Sequence, residues 1–264
     1  MRRSKRQSKG SELSFASESP LNRLRTKVRR ITQILERNYG IPRRKKHSDP
    51  VEVLIQTILS QNTSDQNRDR AYQRLIFRFP RWEDVLAAKT GALFQAIRPG
   101  GLARQKARRI REFLYWLEER EGNLSLSFLR KMDSEEIKKI LGGLKGIGPK
   151  TLHCLLLFGL GREAFPVDTH ILRIGQRLGF IPERMHAEEA HEWAASLIPE
   201  NKSLSLHLNL IRFGRKTCKA RQPQCDLCFL SRECVHPGRQ SGPIRRTSGQ
   251  GRGSSKDHPF HAPD

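Results

Sequence analysis

Apolar residues recur along this chain at helical spacing and almost nowhere at any other. Val51, Leu54, Ile55, Ile58 and Leu59 stand at i, i+3, i+4, i+7 and i+8, which lines them up along one side of a helix. Asp49-Pro50 ahead of them, with Glu52 in the third helical position, form a start signal: Asp accepts from first-turn amides and Pro has no amide to satisfy. Ala103, Ala107, Ile110, Leu114 and Leu117 repeat the stripe, Phe113 widens it, and Gly122 marks its end. Asp133 caps a third segment through Ile137, Ile140 and Leu141, and two more run through Leu152, Leu155, Leu156 and through Ile171, Ile174, Leu178. No alternating β-branched run, hairpin pair or fixed-period repeat interrupts this pattern, so the fold class expected is all-α.

Charge narrows the function. The 264 residues hold 50 Lys and Arg against 27 Asp and Glu, a net charge of +23 that calls for a polyanionic partner. The excess is uneven: residues 1–47 carry +12, residues 48–237 carry +8 and the tail from Gly238 carries +3. The first twenty residues and the last twenty-seven have the composition of disordered basic arms, which add salt-sensitive attraction to phosphates. A mitochondrial transit peptide is a weaker reading of the first segment, because Glu12 and Glu18 are acids that such peptides avoid. No apolar run approaches the roughly 20 residues of a membrane span, and the N-terminus has no secretory hydrophobic stretch. A membrane protein, a collagen-like fibre and a wholly disordered chain are excluded.

Three local features carry chemistry. Leu144-Lys145-Gly146-Ile147-Gly148-Pro149-Lys150 lies between two helical patterns. Its glycines let a backbone turn sharply and approach a partner, and the following helix start is a ready anion site. A tight turn without a ligand is the plainer alternative. Lys150 stands in the first turn of that helix, where the dipole disfavours a positive charge and so favours the neutral, nucleophilic amine; a surface lysine touching phosphate is the commoner fate. Eighteen residues on, Phe165-Pro166-Val167-Asp168-Thr169-His170 opens the next helix. Asp168 suits an N-cap and, compatibly, a carboxylate that assists chemistry; His170 alone says little. Cys218, Cys225, Cys228 and Cys234 make a C-x6-C-x2-C-x5-C set that points to a metal in a reducing compartment. Ligand count leaves zinc and iron–sulfur both open. Cys154, on an apolar pattern, reads as a buried small hydrophobe.

The glycine turn with its lysine, the V-D-T-H segment and the cysteine set together resemble the endonuclease III family of the helix-hairpin-helix DNA glycosylase superfamily, over roughly Leu21 to Pro237. The resemblance implies two helical lobes flanking a DNA-binding groove. One is a six-helix domain with the helix-hairpin-helix, residues 48–162; the other is a discontinuous iron–sulfur domain, residues 21–47 and 163–237. The arms are residues 1–20 and 238–264.

It implies further that Lys150 attacks C1′ of a damaged nucleotide and that the Schiff base then permits β-elimination. On this reading Asp168 is the catalytic carboxylate, and Cys218, Cys225, Cys228 and Cys234 hold a [4Fe-4S] cluster. Leu59-Ser60-Gln61-Asn62-Thr63-Ser64-Asp65 resembles the segment that fills the space of the extruded nucleotide, with Asn62 where glutamine is common. Gly101-Leu102 resembles the loop that wedges against the opposite strand, and Gly146 and Gly148 belong to the DNA-gripping turn. The partner implied is double-stranded DNA bearing damaged bases or abasic sites, bound by a monomer without a membrane, in the cytoplasm beside the nucleoid if the source is bacterial. Lys150 argues against the adenine-specific mismatch branch, where that lysine is typically absent. The leading expectation is a bifunctional glycosylase/lyase for oxidised pyrimidines. Its rivals are a relative with shifted base preference and a non-catalytic DNA-binding damage sensor with a four-cysteine metal site.

Overall fold

A computed structural model describes residues 19–43 and 49–236. The two arms lie outside the described residues, apart from Ser19 and Pro20. Among the described residues there are helices and turns and no strands, as the apolar spacing predicts. In chain order the helices are α1 (Pro20–Tyr39), α2 (Pro50–Ser60), α3 (Asp65–Arg78), α4 (Trp82–Ala87), α5 (Thr90–Ile97), α6 (Ala103–Glu121), α7 (Ser134–Gly142), α8 (Pro149–Cys154), α9 (Thr169–Leu178), α10 (Ala187–Ala195) and α11 (Ser203–Lys216). A π-helical turn, Leu155–Gly159, prolongs α8. No helix among the described residues is long and apolar enough to cross a membrane.

The buried residues fall into two clusters. The first gathers α2 to α8 and runs in sequence from Val51 to Ala164. The second joins α1 to α9, α10 and α11, so a helix from the start of the chain packs against its far end. α2 is the axis of the first. The sequence shows one stripe, but Val53, Gln56 and Thr57 are buried as well, because α3, α6, α8 and the π turn pack around the helix. Its polar members survive burial by bonding within the helix: Thr57 Oγ1 donates to Val53 O at 2.7 Å and Gln56 Nε2 to Glu52 Oε1 at 3.1 Å.

Several ends follow the sequence signals. Asp49 accepts from Val51 N at 3.0 Å. Asp133 accepts from Glu136 N at 2.8 Å while Glu136 accepts from Asp133 N at 2.9 Å, a reciprocal capping box. Gly122 closes α6 in the left-handed conformation, φ +68°. The second core relies on polar ties across its elements. Glu36 of α1 accepts from Lys202 Nζ at 3.0 Å and from Ser205 Oγ at 2.7 Å, and Asn209 donates to Gly40 O at 3.0 Å.

Candidate active site

The end of α2, the α7–α8 turn and the start of α9 converge on one cleft of about 950 Å³. Lys150, Asp168, His170, Asn62, His191 and His207 all line it. Lys150, in the first turn of α8, and Asp168, ahead of α9, therefore line one cleft although the rest of α8, the π turn and the irregular chain after it separate them, and the charges of both reach the buried Cys154 and His207. Arg215 of α11 pairs with Asp65 at the start of α3, tying the second core to the first at the same cleft.

The turn divides its glycines between two tasks. Gly146 has φ +89°, and a Cβ there would lie 2.5 Å from Arg109 Cδ, so both backbone and packing demand glycine. Arg109 uses that closeness: its Nη1 donates to Gln61 Oε1 at 2.7 Å, and Gln61 Nε2 donates onward to Gly146 O at 2.9 Å. Gln61 thus braces α2 against the turn, with both ends of its amide engaged inside the protein. Gly148 is different. Its backbone is extended, φ −90° and ψ −177°, and a Cβ would meet nothing within 4 Å. The protein's own packing does not require glycine there; an open backbone at the mouth of α8 does suit close approach by an anion.

Asp168 caps α9, accepting from Ile171 N at 2.8 Å. The irregular chain before it is clamped by two histidines that sequence spacing did not single out. His191 Nδ1 accepts from Val167 N at 2.9 Å and His207 Nδ1 bonds Pro166 O at 2.9 Å. Desolvation holds each near a pKa of about 4, so both rings are neutral. Their only signal in the sequence is a polar residue on an otherwise buried helical face. His170, half-buried beside Arg173 Nη2 at 3.2 Å, is likewise pushed below the usual imidazole range by burial. Burial raises the Cys154 thiol to about 11, in keeping with an inert small hydrophobe.

Asn62 and Leu102 are exposed and both adopt positive φ, +51° and +46°. Lys106 stands four residues beyond Leu102 of the Gly101-Leu102 loop yet is 1% exposed, with its amine inside the first core.

The four cysteines follow α11 in a loop of short 3-10 turns, each sulfur half-buried and free of disulfides. Two arginines of α9 hold this loop: Arg173 Nη2 donates to Cys218 O at 2.8 Å, and Arg177 Nη1 to Lys219 O at 2.8 Å and to Cys218 Sγ at 3.4 Å. Cys234 Sγ donates back to Arg177 O at 3.3 Å. Burial first, and then the neighbouring Cys218, Cys234 and Cys225, raise the Cys228 thiol to about 11, so the four sulfurs share one electrostatic neighbourhood. No set of three or more His, Cys, Asp or Glu side chains among the described residues is gathered tightly enough for a single metal ion.

Residues 55–200 match the family model of the HhH-GPD superfamily base excision DNA repair proteins. Endonuclease III of Thermotoga maritima is 38% identical over 208 residues, 77% of this chain and 92% of that protein. A candidate DNA glycosylase of Arabidopsis thaliana is 39% identical over 168 residues, which span 63% of this chain and 57% of that protein. Among solved structures, a trapped endonuclease III–DNA covalent intermediate superposes with a TM-score of 0.68 at 30% identity, covering 80% of this chain and 95% of that one. The all-helical architecture, the cleft at the hairpin turn and these likenesses agree, and the chain belongs to the HhH-GPD superfamily of base excision DNA repair proteins as an endonuclease III-like DNA glycosylase.

Proposed function

We propose that this chain binds double-stranded DNA, removes oxidised pyrimidines and cleaves the resulting abasic site through a covalent step at Lys150. One observation carries the reading: Lys150 and Asp168 line a single cleft at the mouth of the glycine turn, with an open backbone at Gly148 beside them. The relatives add support, one of them trapped covalently on DNA. Lys150 Nζ, as the neutral amine, attacks C1′ of an everted nucleotide, and the C1′–N bond breaks as the base departs with its electron pair. Opening of the sugar gives the protonated Schiff base. Loss of a C2′ proton then expels the 3′ phosphate, and water releases the enzyme. Asp168, fixed by its cap bond, sets a carboxylate where positive charge develops.

The four cysteines fit a [4Fe-4S] cluster. They are free, half-buried and mutually repelling as thiolates, so a cationic group among them is what lets them ionise. Cys218, Cys225, Cys228 and Cys234 would hold it, and when bound it cross-links the loop that Arg173 and Arg177 steady.

Incubation with an abasic duplex and borohydride tests the chemistry. The wild type should form a covalent adduct and Lys150→Ala none, with a panel of damaged bases giving the highest turnover on oxidised pyrimidines. A wild type that binds duplex DNA yet never forms the adduct is a DNA-binding sensor instead.

A further inference from the structure

Lys106 is among the largest fully buried side chains of the described residues. Its Nζ donates to Leu59 O and to Gly100 O, each at 2.7 Å. Burying an ammonium is unfavourable unless it is well bonded, and among the described residues no carboxylate offsets it: desolvation and nearby Arg109 lower its pKa to about 8. What the amine holds explains its place. Leu59 O belongs to the last turn of α2, where helix carbonyls lack amide partners, and Gly100 O ends the 3-10 turn Arg98–Gly100.

Each carbonyl is a fixed point shortly before an exposed tip. Asn62 follows Leu59 by three residues, and Leu102 follows Gly100 by two. Both tips are left-handed, a conformation that Asn adopts readily but that costs a leucine about 1–2 kcal/mol, and Leu102 remains 53% exposed. Strain of this kind persists only where the surroundings over-determine it. The two bases also lie near one another, because a Cβ built on Gly100 would come within 3.9 Å of Leu59 O.

We propose that Lys106 is a positioning residue that joins the Asn62 and Leu102 tips into one rigid unit, so that they enter duplex DNA together rather than independently. This rests on the reading of the cleft as a site for an everted nucleotide, and Lys106 itself touches no substrate. The sequence separates the tips by 40 positions, and one buried amine ties them.

The experiment compares borohydride trapping on an abasic site in a duplex and in a single-stranded oligonucleotide, for wild type and Lys106→Met. A unit needed to open the duplex gives at least a tenfold larger loss on duplex than on single strand. It also removes the fluorescence change of 2-aminopurine placed opposite the site. Equal losses on both substrates, or an undiminished duplex rate in a folded variant, overturn the proposal. A second measurement needs no change at Lys106: in the otherwise wild-type protein, Asn62→Ala and Leu102→Ala are combined in a double-mutant cycle on duplex affinity. A rigid unit gives losses that depart from additivity by more than fivefold; additivity within twofold overturns it. Should the wild type trap neither substrate, the catalytic reading fails, while the same affinity cycle, run in wild type and in Lys106→Met, still decides the role of Lys106: coupling that disappears in Lys106→Met supports it, and coupling unchanged there overturns it.

Discussion

The first core surrounds a helix, α2, that is buried on nearly every side, whereas the second packs helices around irregular chain at 163–168 and 217–236. A buried helix satisfies its own backbone, so apolar side chains suffice to hold it; irregular backbone must find partners elsewhere. The second core supplies them as side chains: His191 and His207 on the chain ahead of Asp168, Arg173 and Arg177 on the cysteine loop. The first core behaves this way at Lys106, at Gln61 on the α7–α8 turn and at Arg162 on the chain ahead of α7, again where the backbone leaves regular structure. α9 links the ends of the second core, with Asp168 at its start and Arg177 in its last turn, about 13.5 Å apart along the axis at 1.5 Å per residue.

The contrast predicts where damage should spread. The largest effect is chemical and should leave both cores untouched. Asn is as good an N-cap as Asp, so Asp168→Asn should keep the melting temperature while slowing single-turnover base release by about 100-fold or more. A matching fall in stability, seen by calorimetry, would mean that the cap and not the charge matters. Next comes the cysteine loop. Cys228→Ala should cost about 2 kcal/mol or more, lowering Tm by roughly 5 °C, and should lower the iron and sulfide content of the purified protein. Limited proteolysis should then cut within 217–236 while 50–160 stays protected; cleavage spread evenly over both would erase the distinction between the cores.

The last effect appears only on acidification. His191 and His207 are neutral in the folded chain, with pKa values near 4 against an ordinary 6.5. Unfolded chain therefore takes up more protons below 6.5, and the stability these rings contribute is fully present above that pH and lost as pH falls towards 4. The slope is at most about 1.4 kcal/mol per pH unit for each ring. Hydrogen exchange between pH 7 and 5 should show amides around Val167 losing protection before those of α2. Simultaneous loss would refute the assignment of pH sensitivity to the second core.

Much of this was visible in the residues. The helices announced themselves by spacing, Asp49 and Asp133 by their place before apolar stripes, and Asp168 by standing ahead of Thr169 at a helix start. The hairpin turn and the cysteine set were legible because glycine, proline and cysteine carry strong local meaning. Gln61, His191, His207 and Lys106 were not legible in their present roles. Their partners are backbone carbonyls and amides, which every residue possesses and no sequence distinguishes. A lysine in a chain of net charge +23 also looks like one more surface cation.

Sequence alone therefore determined the class of fold, the elements that flank the cleft and the chemical groups available to it, because periodicity and turn chemistry act over a few residues. Tertiary structure alone decided that Lys150 and Asp168 share a cleft, that Gln61 is spent on the turn beside it, and that one amine reaches two carbonyls 41 residues apart. Those outcomes depend on how helices pack across long stretches of chain, and packing is set by the whole buried surface rather than by any one segment.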